Sequence, residues 1–199
     1  MTAIVAVEAG GKIWLGADSA GVESDTLALS TRLDTKLFWN NGYLIGFAGS
    51  FRAGQIVKHK FSMPDFPQEF LPENFCPEIS AEKICLKNLP SDLLVKVENF
   101  FVTEFIDQIQ LAFAESAWGP SENDHFNLIV AHGPYFVTVE NDFQIAIESD
   151  YAAVGSGGPV ALGALAVTKG NPENRLRKAL EAASKHNAGV RAPFYYDHT

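Results

Sequence analysis

The sequence predicts an α+β domain in which two antiparallel sheets carry helices on their outer faces. Three observations carry that expectation. Short apolar runs flank Gly10-Gly11 and Asn41-Gly42 and read as β-hairpins. Apolar residues recur at spacings of three to five between Leu93 and Phe113, which reads as one long helix. The order along the chain is strands, a long helix, strands, then two helices, with no linker or internal repeat. The chain has 199 residues, of which 47% are hydrophobic and 20% charged. That suits a single domain over residues 1–199, large enough to bury its own core.

Each element has a local cause. Residues 3–7 and 13–17 are apolar runs on either side of Gly10-Gly11, and both faces of the first are apolar, so that strand should be buried. Strands at 34–40 and 43–48 flank Asn41-Gly42, the pair that best supports a type I′ turn. Between about 62 and 90, Pro64, Pro67, Pro72, Pro77 and Pro90 forbid a long regular element and predict an irregular excursion. Ser91 can cap a helix that runs to about Ala117 and ends at Gly119-Pro120, with its aromatic residues in the core. Strands follow at 126–131, 135–140 and 144–148. Helices start at Pro159 and at Asn171-Pro172, and Phe194-Tyr195-Tyr196 reads as a last short strand.

Composition excludes several functions. With 24 acidic against 15 basic residues and a net charge of -9, there is no basic patch to grip nucleic acid. No apolar run approaches the roughly 20 residues of a membrane helix, and the basic-then-apolar layout of a signal peptide is missing, so a cytoplasmic protein is expected. Cys76 and Cys85 fit neither a disulfide scaffold nor a C-x-x-C metal site and should be reduced. His59, His125, His132, His186 and His198 have no metal-ligand spacing, so neither metal nor cofactor is expected. Gly155-Ser156-Gly157-Gly158-Pro159 lacks the Lys-Ser/Thr of a phosphate-binding loop.

Hairpin register then brings polar residues together. A turn at Gly10-Gly11 places Thr2 opposite Asp18 or Ser19. A two-residue turn at Asn41-Gly42 pairs Leu37 with Gly46 and sets Lys36 beside the Gly46 backbone. Lys36 interrupts an apolar strand, and a lysine on a buried sheet must snorkel or find a carboxylate, for which Asp18 is the candidate. A threonine near the N-terminus, an aspartate, a lysine and a strand glycine are the parts of a nucleophile whose own α-amine serves as base. A free α-amine has a pKa of about 7.7–8.0, and a neighbouring Lys⁺ lowers it.

These residues carry a resemblance. Thr2-Ala-Ile-Val-Ala-Val through Gly16-Ala17-Asp18, Lys36 with Ile45-Gly46-Phe47-Ala48-Gly49, and Tyr151-Ala-Ala-Val-Gly155-Ser156-Gly157-Gly158-Pro159 resemble the proteasome β-subunit and HslV peptidase family of N-terminal nucleophile hydrolases. The resemblance implies a four-layer αββα sandwich. It also implies a threonine peptidase in which Met1 is removed and Thr2 attacks a peptide carbonyl. Asp18 and Lys36 would orient Thr2, Gly46 would donate its N–H to the oxyanion, and Ser156 would bond the amine. The implied partners are further copies of the chain in a ring, an unfolded polypeptide or peptide as substrate, and an ATPase unfoldase.

The sequence also departs from that family. The Asp18 to Lys36 interval is about two residues longer than usual, which should lengthen the loop around Glu23 to Ser30. Asn187-Ala188-Gly189-Val190-Arg191-Ala192 stands where an Asp, a Ser and two glycines are usual, and the Pro-rich excursion has no counterpart in HslV. The ending Leu180-Glu-Ala-Ala…Ala192-Pro-Phe194 is similar to compact bacterial and phage-encoded members. Two further readings stay open: a scaffold subunit without activity, and an amidase of the same nucleophile class acting on a small molecule.

Overall fold

Alternation along the first strand builds two cores at once. In the computed structural model, which describes residues 1–23, 25–71, 89–121 and 124–199, β1 (Ile4–Ala9) pairs with β2 (Lys12–Ala17) across the glycine turn. Ile4 and Ala6 point into the larger core, while Val5 and Val7 point the other way, into a second core. The period of two is that of a strand with both faces covered, as the apolar run requires. The sheet is completed by β10 (Tyr151–Val154) beside β1 and β11 (Tyr195–His198) beside β2, all antiparallel.

The larger antiparallel sheet has the order β5-β6-β7-β8-β9, formed by Leu37–Asn40, Tyr43–Gly49, Phe126–His132, Tyr135–Val139 and Ile145–Ile147. Its first hairpin has the register the Asn41-Gly42 turn predicts, with Leu37 opposite Gly46. A small hairpin of β3 (Ala20–Val22) and β4 (Leu29–Thr31) occupies the long interval after Asp18. The chain is therefore mixed α and β, with antiparallel sheets throughout the described residues.

Helices α4 (Gly158–Val167) and α5 (Pro172–His186) cover β1, β2 and β10, burying Leu165, Leu176 and Leu180 against Val5 and Val7. Burying each such side chain contributes about 1.5–3 kcal/mol. On the larger sheet lies α1 (Phe51–His59), capped by Ser50, whose Oγ accepts the Ala53 N–H. The sequence reading passed over this helix and over β3, β4 and β10; all are short, and α1 has only one apolar turn, Ile56-Val57, to show.

The expected continuous helix after Pro90 needs correction. It is α2 (Ser91–Phe100) and α3 (Ile106–Glu115), joined by a π-helical turn over Phe101–Phe105. Leu93, Val97, Phe101, Phe105, Ile109 and Phe113 are all buried and spaced by four. Four residues overshoot an α-helical turn by about 40°, so a strict four-residue stripe drifts around the helix. The wider π turn absorbs that drift and returns Ile109 and Phe113 to the core side. Ser91 is the first helical residue and Pro90 takes the cap position, where its carbonyl accepts the Leu93 and Leu94 N–H groups.

Of the Pro-rich excursion, residues 62–71 and 89–90 are described and contain one short 3₁₀ turn, Gln68–Phe70. They are fastened to the larger sheet by Tyr43, whose hydroxyl donates to the Pro64 carbonyl, and by Asn41, whose amide donates to Met63. Cys76 and Cys85 lie outside the described residues. No helix among the described residues is long and apolar enough to cross a membrane.

Candidate active site

The β1–β2 register continues beyond its last pair, because Asp18 N donates to Ala3 O at 3.3 Å. Thr2 thus falls opposite Ser19, one of the two positions the turn allows. The larger sheet brings Lys36, the residue before β5, to the same place. Lys36 Nζ donates to Thr2 Oγ1 at 2.8 Å and to Asp18 Oδ1 at 2.8 Å. Thr2, Asp18 and Lys36 are each no more than 1% exposed.

Asp18 is held by more than the lysine. Its Oδ1 also accepts the Ala3 N–H at 3.0 Å, and its Oδ2 accepts those of Ala20 at 2.8 Å and Arg191 at 3.3 Å. Four donors on one buried carboxylate offset its desolvation. The Arg191 contact belongs to the segment after α5. There Asn187 Oδ1 accepts the Gly189 N–H, and the Arg191 carbonyl accepts from both Ser19 N and Ser19 Oγ. The turn therefore reaches Asp18 through its backbone.

Ser156, between β10 and α4, accepts the Thr2 N–H on its Oγ at 3.1 Å. The next residue, Gly157, donates its N–H to Thr2 O at 3.0 Å. Gly155 makes this approach feasible: its φ is +90°, and a Cβ there would lie 2.5 Å from Thr2 O.

Gly46 is not brought to the cluster. Phe47 N donates to Lys36 O, so by the alternation of an antiparallel ladder Gly46 points its N–H at β7, opposite Ile129. A Cβ on Gly46 would meet Ile4 and Leu37 in the core. The same alternation turns the Gly49 N–H away from β7, past the end of β5, and Gly49 lines a cavity with Thr2. The resemblance implies Gly46 as oxyanion donor, but Gly49 stands in the same motif, and hairpin register is the signal that separates the two.

The architecture and this cluster can be compared with known proteins. No protein-family model and no curated protein matches the sequence. Solved structures do. BPH of Thiobacillus denitrificans is similar at a TM-score of 0.64 and 15% identity, over 99% of this chain and 97% of that one. BPH in complex with epoxomicin gives 0.64 and 16% over the same shares. Eukaryotic HslV from Trypanosoma brucei gives 0.60 and 19% over 98% of each chain.

The chain shares the HslV fold. The similarity covers nearly the full length of both partners, so the sequence resemblance to HslV and proteasome β-subunits holds at the level of architecture. Within this HslV-like fold the Thr2 cluster opens onto a cavity of about 470 Å³, lined by Gly49, His125, Asn127, Glu140, Gly155 and Ser156 beside Met1 and Thr2. A second cavity, of about 320 Å³, adjoins it across Met1 and is lined by Val22, Ser50, Phe51 and Asp124. His125, Asn127 and Glu140 carry no sequence motif; only the folding of β7 onto β8 brings them near Thr2.

Met1 lies directly against the cluster. Thr2 Oγ1 donates to the Met1 carbonyl at 2.5 Å, and the Met1 side chain packs on Gly189. While Met1 is attached, Thr2 N is an amide and cannot act as a base. Burial holds the Met1 α-amine below its ordinary pKa; the Lys36 charge lowers it further, and Asp18 opposes both. Lys36 is also held below the usual lysine value, chiefly by burial, with Asp18 pulling it back up. No group of three or more metal-ligating side chains gathers among the described residues.

Proposed function

We propose that this protein is a threonine-type peptidase in which removal of Met1 exposes Thr2 as nucleophile and base. The observation that carries the reading is the buried triangle in which Lys36 Nζ lies 2.8 Å from both Thr2 Oγ1 and Asp18 Oδ1. The freed α-amine, whose protonation the neighbouring Lys36 ammonium opposes, takes the Oγ1 proton as Oγ1 attacks a substrate carbonyl. Ser156 Oγ holds that amine, and the Gly49 N–H, in place of the Gly46 N–H expected from the resemblance, faces the developing oxyanion. Collapse breaks the C–N bond, the leaving amine takes the proton from the Thr2 ammonium, and an ester on Thr2 remains. Water, deprotonated by the same amine, hydrolyses the ester and restores the hydroxyl.

This reading takes the packing of α4–α5, the two sheets and α1–α3 as the four layers of an αββα sandwich, forming one domain over residues 1–199. It extends to a cytoplasmic homo-oligomeric ring admitting unfolded polypeptides, with an ATPase unfoldase as its feeding partner; native mass spectrometry reads the subunit number.

The test is intact-mass spectrometry before and after exposure to epoxomicin, the compound bound in the similar BPH structure. Its epoxyketone reacts with both a hydroxyl and a free amine. Loss of Met1 and one adduct per chain are expected, and Thr2→Ala should lose both adduct and peptide hydrolysis. Full hydrolysis by Thr2→Ala would overturn the reading. A second reading, a scaffold subunit, is favoured by the contact between Met1 O and Thr2 Oγ1; retained Met1 without adduct would select it.

A further inference from the structure

We infer that Glu140 sets the substrate preference of the Thr2 site, selecting peptides that carry a lysine or arginine side chain next to the scissile bond. This rests on the peptidase reading above. Glu140 follows β8 and shares with Thr2, Gly49 and Ser156 the cavity of about 470 Å³, a volume that admits a long side chain. The β7–β8 register pairs Leu128 with Val139, so Asn127 and Glu140 are the next cross-strand pair and present their side chains on one face.

Glu140 is fixed from three directions. Its N–H donates to Gln144 O and its carbonyl accepts the Phe143 N–H, both at 2.9 Å. Its carboxylate accepts a hydrogen bond from the Asn127 amide. Asn127 is held by the ladder opposite Ala48, two residues before Ser50 at the start of α1. A carboxylate fixed in this way, with one amide donor, retains acceptor capacity for a cation.

No cation among the described residues pairs with it. Lys36 is committed to Asp18 and Thr2, and Arg32 is clamped by both oxygens of Asp34. The adjoining cavity adds Asp124, whose Oδ2 accepts from Trp118 Nε1 at 2.7 Å, and His125 lies between the two. A cleft of one sign with apolar walls concentrates the opposite charge. A substrate ammonium or guanidinium in this cavity meets Glu140, whereas a substrate carboxylate meets repulsion.

The experiment compares fluorogenic peptides that differ at one residue on either side of the scissile bond, with Lys, Gln or Glu, on the full-length, Met1-processed protein. Wild type should show kcat/KM about tenfold higher for Lys than for Glu at one of these positions, the ratio shrinking with added salt, as a single partly exposed charge contact allows. Glu140→Gln should bring the ratio to about one, and Glu140→Lys should invert it. An unchanged Lys-to-Glu ratio in Glu140→Gln, or no preference in wild type that hydrolyses all peptides and takes the epoxomicin adduct, overturns this inference alone. Absence of both hydrolysis and adduct in wild type overturns the peptidase reading with it.

Discussion

Replacing Asp18 by Asn changes one oxygen for one amide group and leaves the shape of the site alone. The carboxylate accepts four hydrogen bonds, two on each oxygen. Asparagine offers a single acceptor oxygen, so whichever way the amide turns, two donors lose their acceptor and face an NH₂ group. If the oxygen stays on the Lys36 side, the losses are the Ala20 N–H, bonded at 2.8 Å, and the Arg191 N–H, bonded more weakly at 3.3 Å. A buried donor left unsatisfied costs about 1–3 kcal/mol, and breaking one side of a buried ion pair about 3–5 kcal/mol, so the substitution should cost about 3–4 kcal/mol. Asp34→Asn is the control. That residue pairs with Arg32 at 2.6 Å, closer than Asp18 to Lys36, but the two side chains are 47% and 34% exposed. Solvent screening limits its cost to about 1 kcal/mol or less. Urea unfolding at fixed protein concentration reads both; with a slope of about 2 kcal/mol/M, Asp18→Asn should lower the midpoint by about 1.5–2 M. An Asp18→Asn midpoint within about 0.5 M of wild type, or equal losses in the two variants, would refute the reasoning that burial rather than distance sets these magnitudes.

Other outcomes follow from the same geometry. Gly155→Ala places a methyl group 2.5 Å from Thr2 O in a residue with φ of +90°. It should destabilise the fold by about 2–4 kcal/mol and lower kcat more than it raises KM, because Thr2 O must retreat from Gly157; wild-type stability and rate would contradict this. The pH profile of kcat/KM should be bell-shaped. In the proposed mechanism activity requires a neutral Thr2 α-amine, and the Lys36 ammonium bonded to Oγ1 of the same residue opposes protonation of that amine, so the acid limb should fall below the ordinary amine range of about 7.7–8.0. It requires a charged Lys36, which burial depresses, so the alkaline limb should fall below 10.5. Lys36→Met should move the acid limb upward in whatever activity remains, and an unmoved limb would separate Lys36 from the amine.

Hairpin register was the most informative thing in the chain. Gly10-Gly11 and Asn41-Gly42 fix which residues face each other, and from them the meeting of Thr2, Asp18 and Lys36 could be anticipated. Two local errors arose where competing patterns were equally good. The stripe from Leu93 to Phe113 satisfies an uninterrupted helix as well as one with a π turn, and only the demand that all six side chains from Leu93 to Phe113 face one core selects the second. Helix α1 was invisible because nine residues with two adjacent aliphatics give little periodicity, and its existence depends on packing against β5 and β6.

The choice between Gly46 and Gly49 turns on strand register rather than on the motif. Both belong to the motif Gly46-Phe47-Ala48-Gly49, and either could donate an N–H. Strand alternation gives opposite directions to residues an odd number apart, so the identity of the donor depends on which neighbour Phe47 bonds.

What the sequence determined alone is therefore local: turn types, strand pairing across each turn, and the residue types able to supply a nucleophile, a base and a charge partner. What only the tertiary structure decided is everything that joins distant segments. Ser156 reaches Thr2 across 154 positions, Arg191 reaches Asp18 across 173, and Glu140 reaches the same cavity from the end of β8. The physical reason is that a turn constrains a few dihedral angles and can be read from a few residues. The approach of two sheets is set by the packing of both cores together, and no short stretch of chain encodes it.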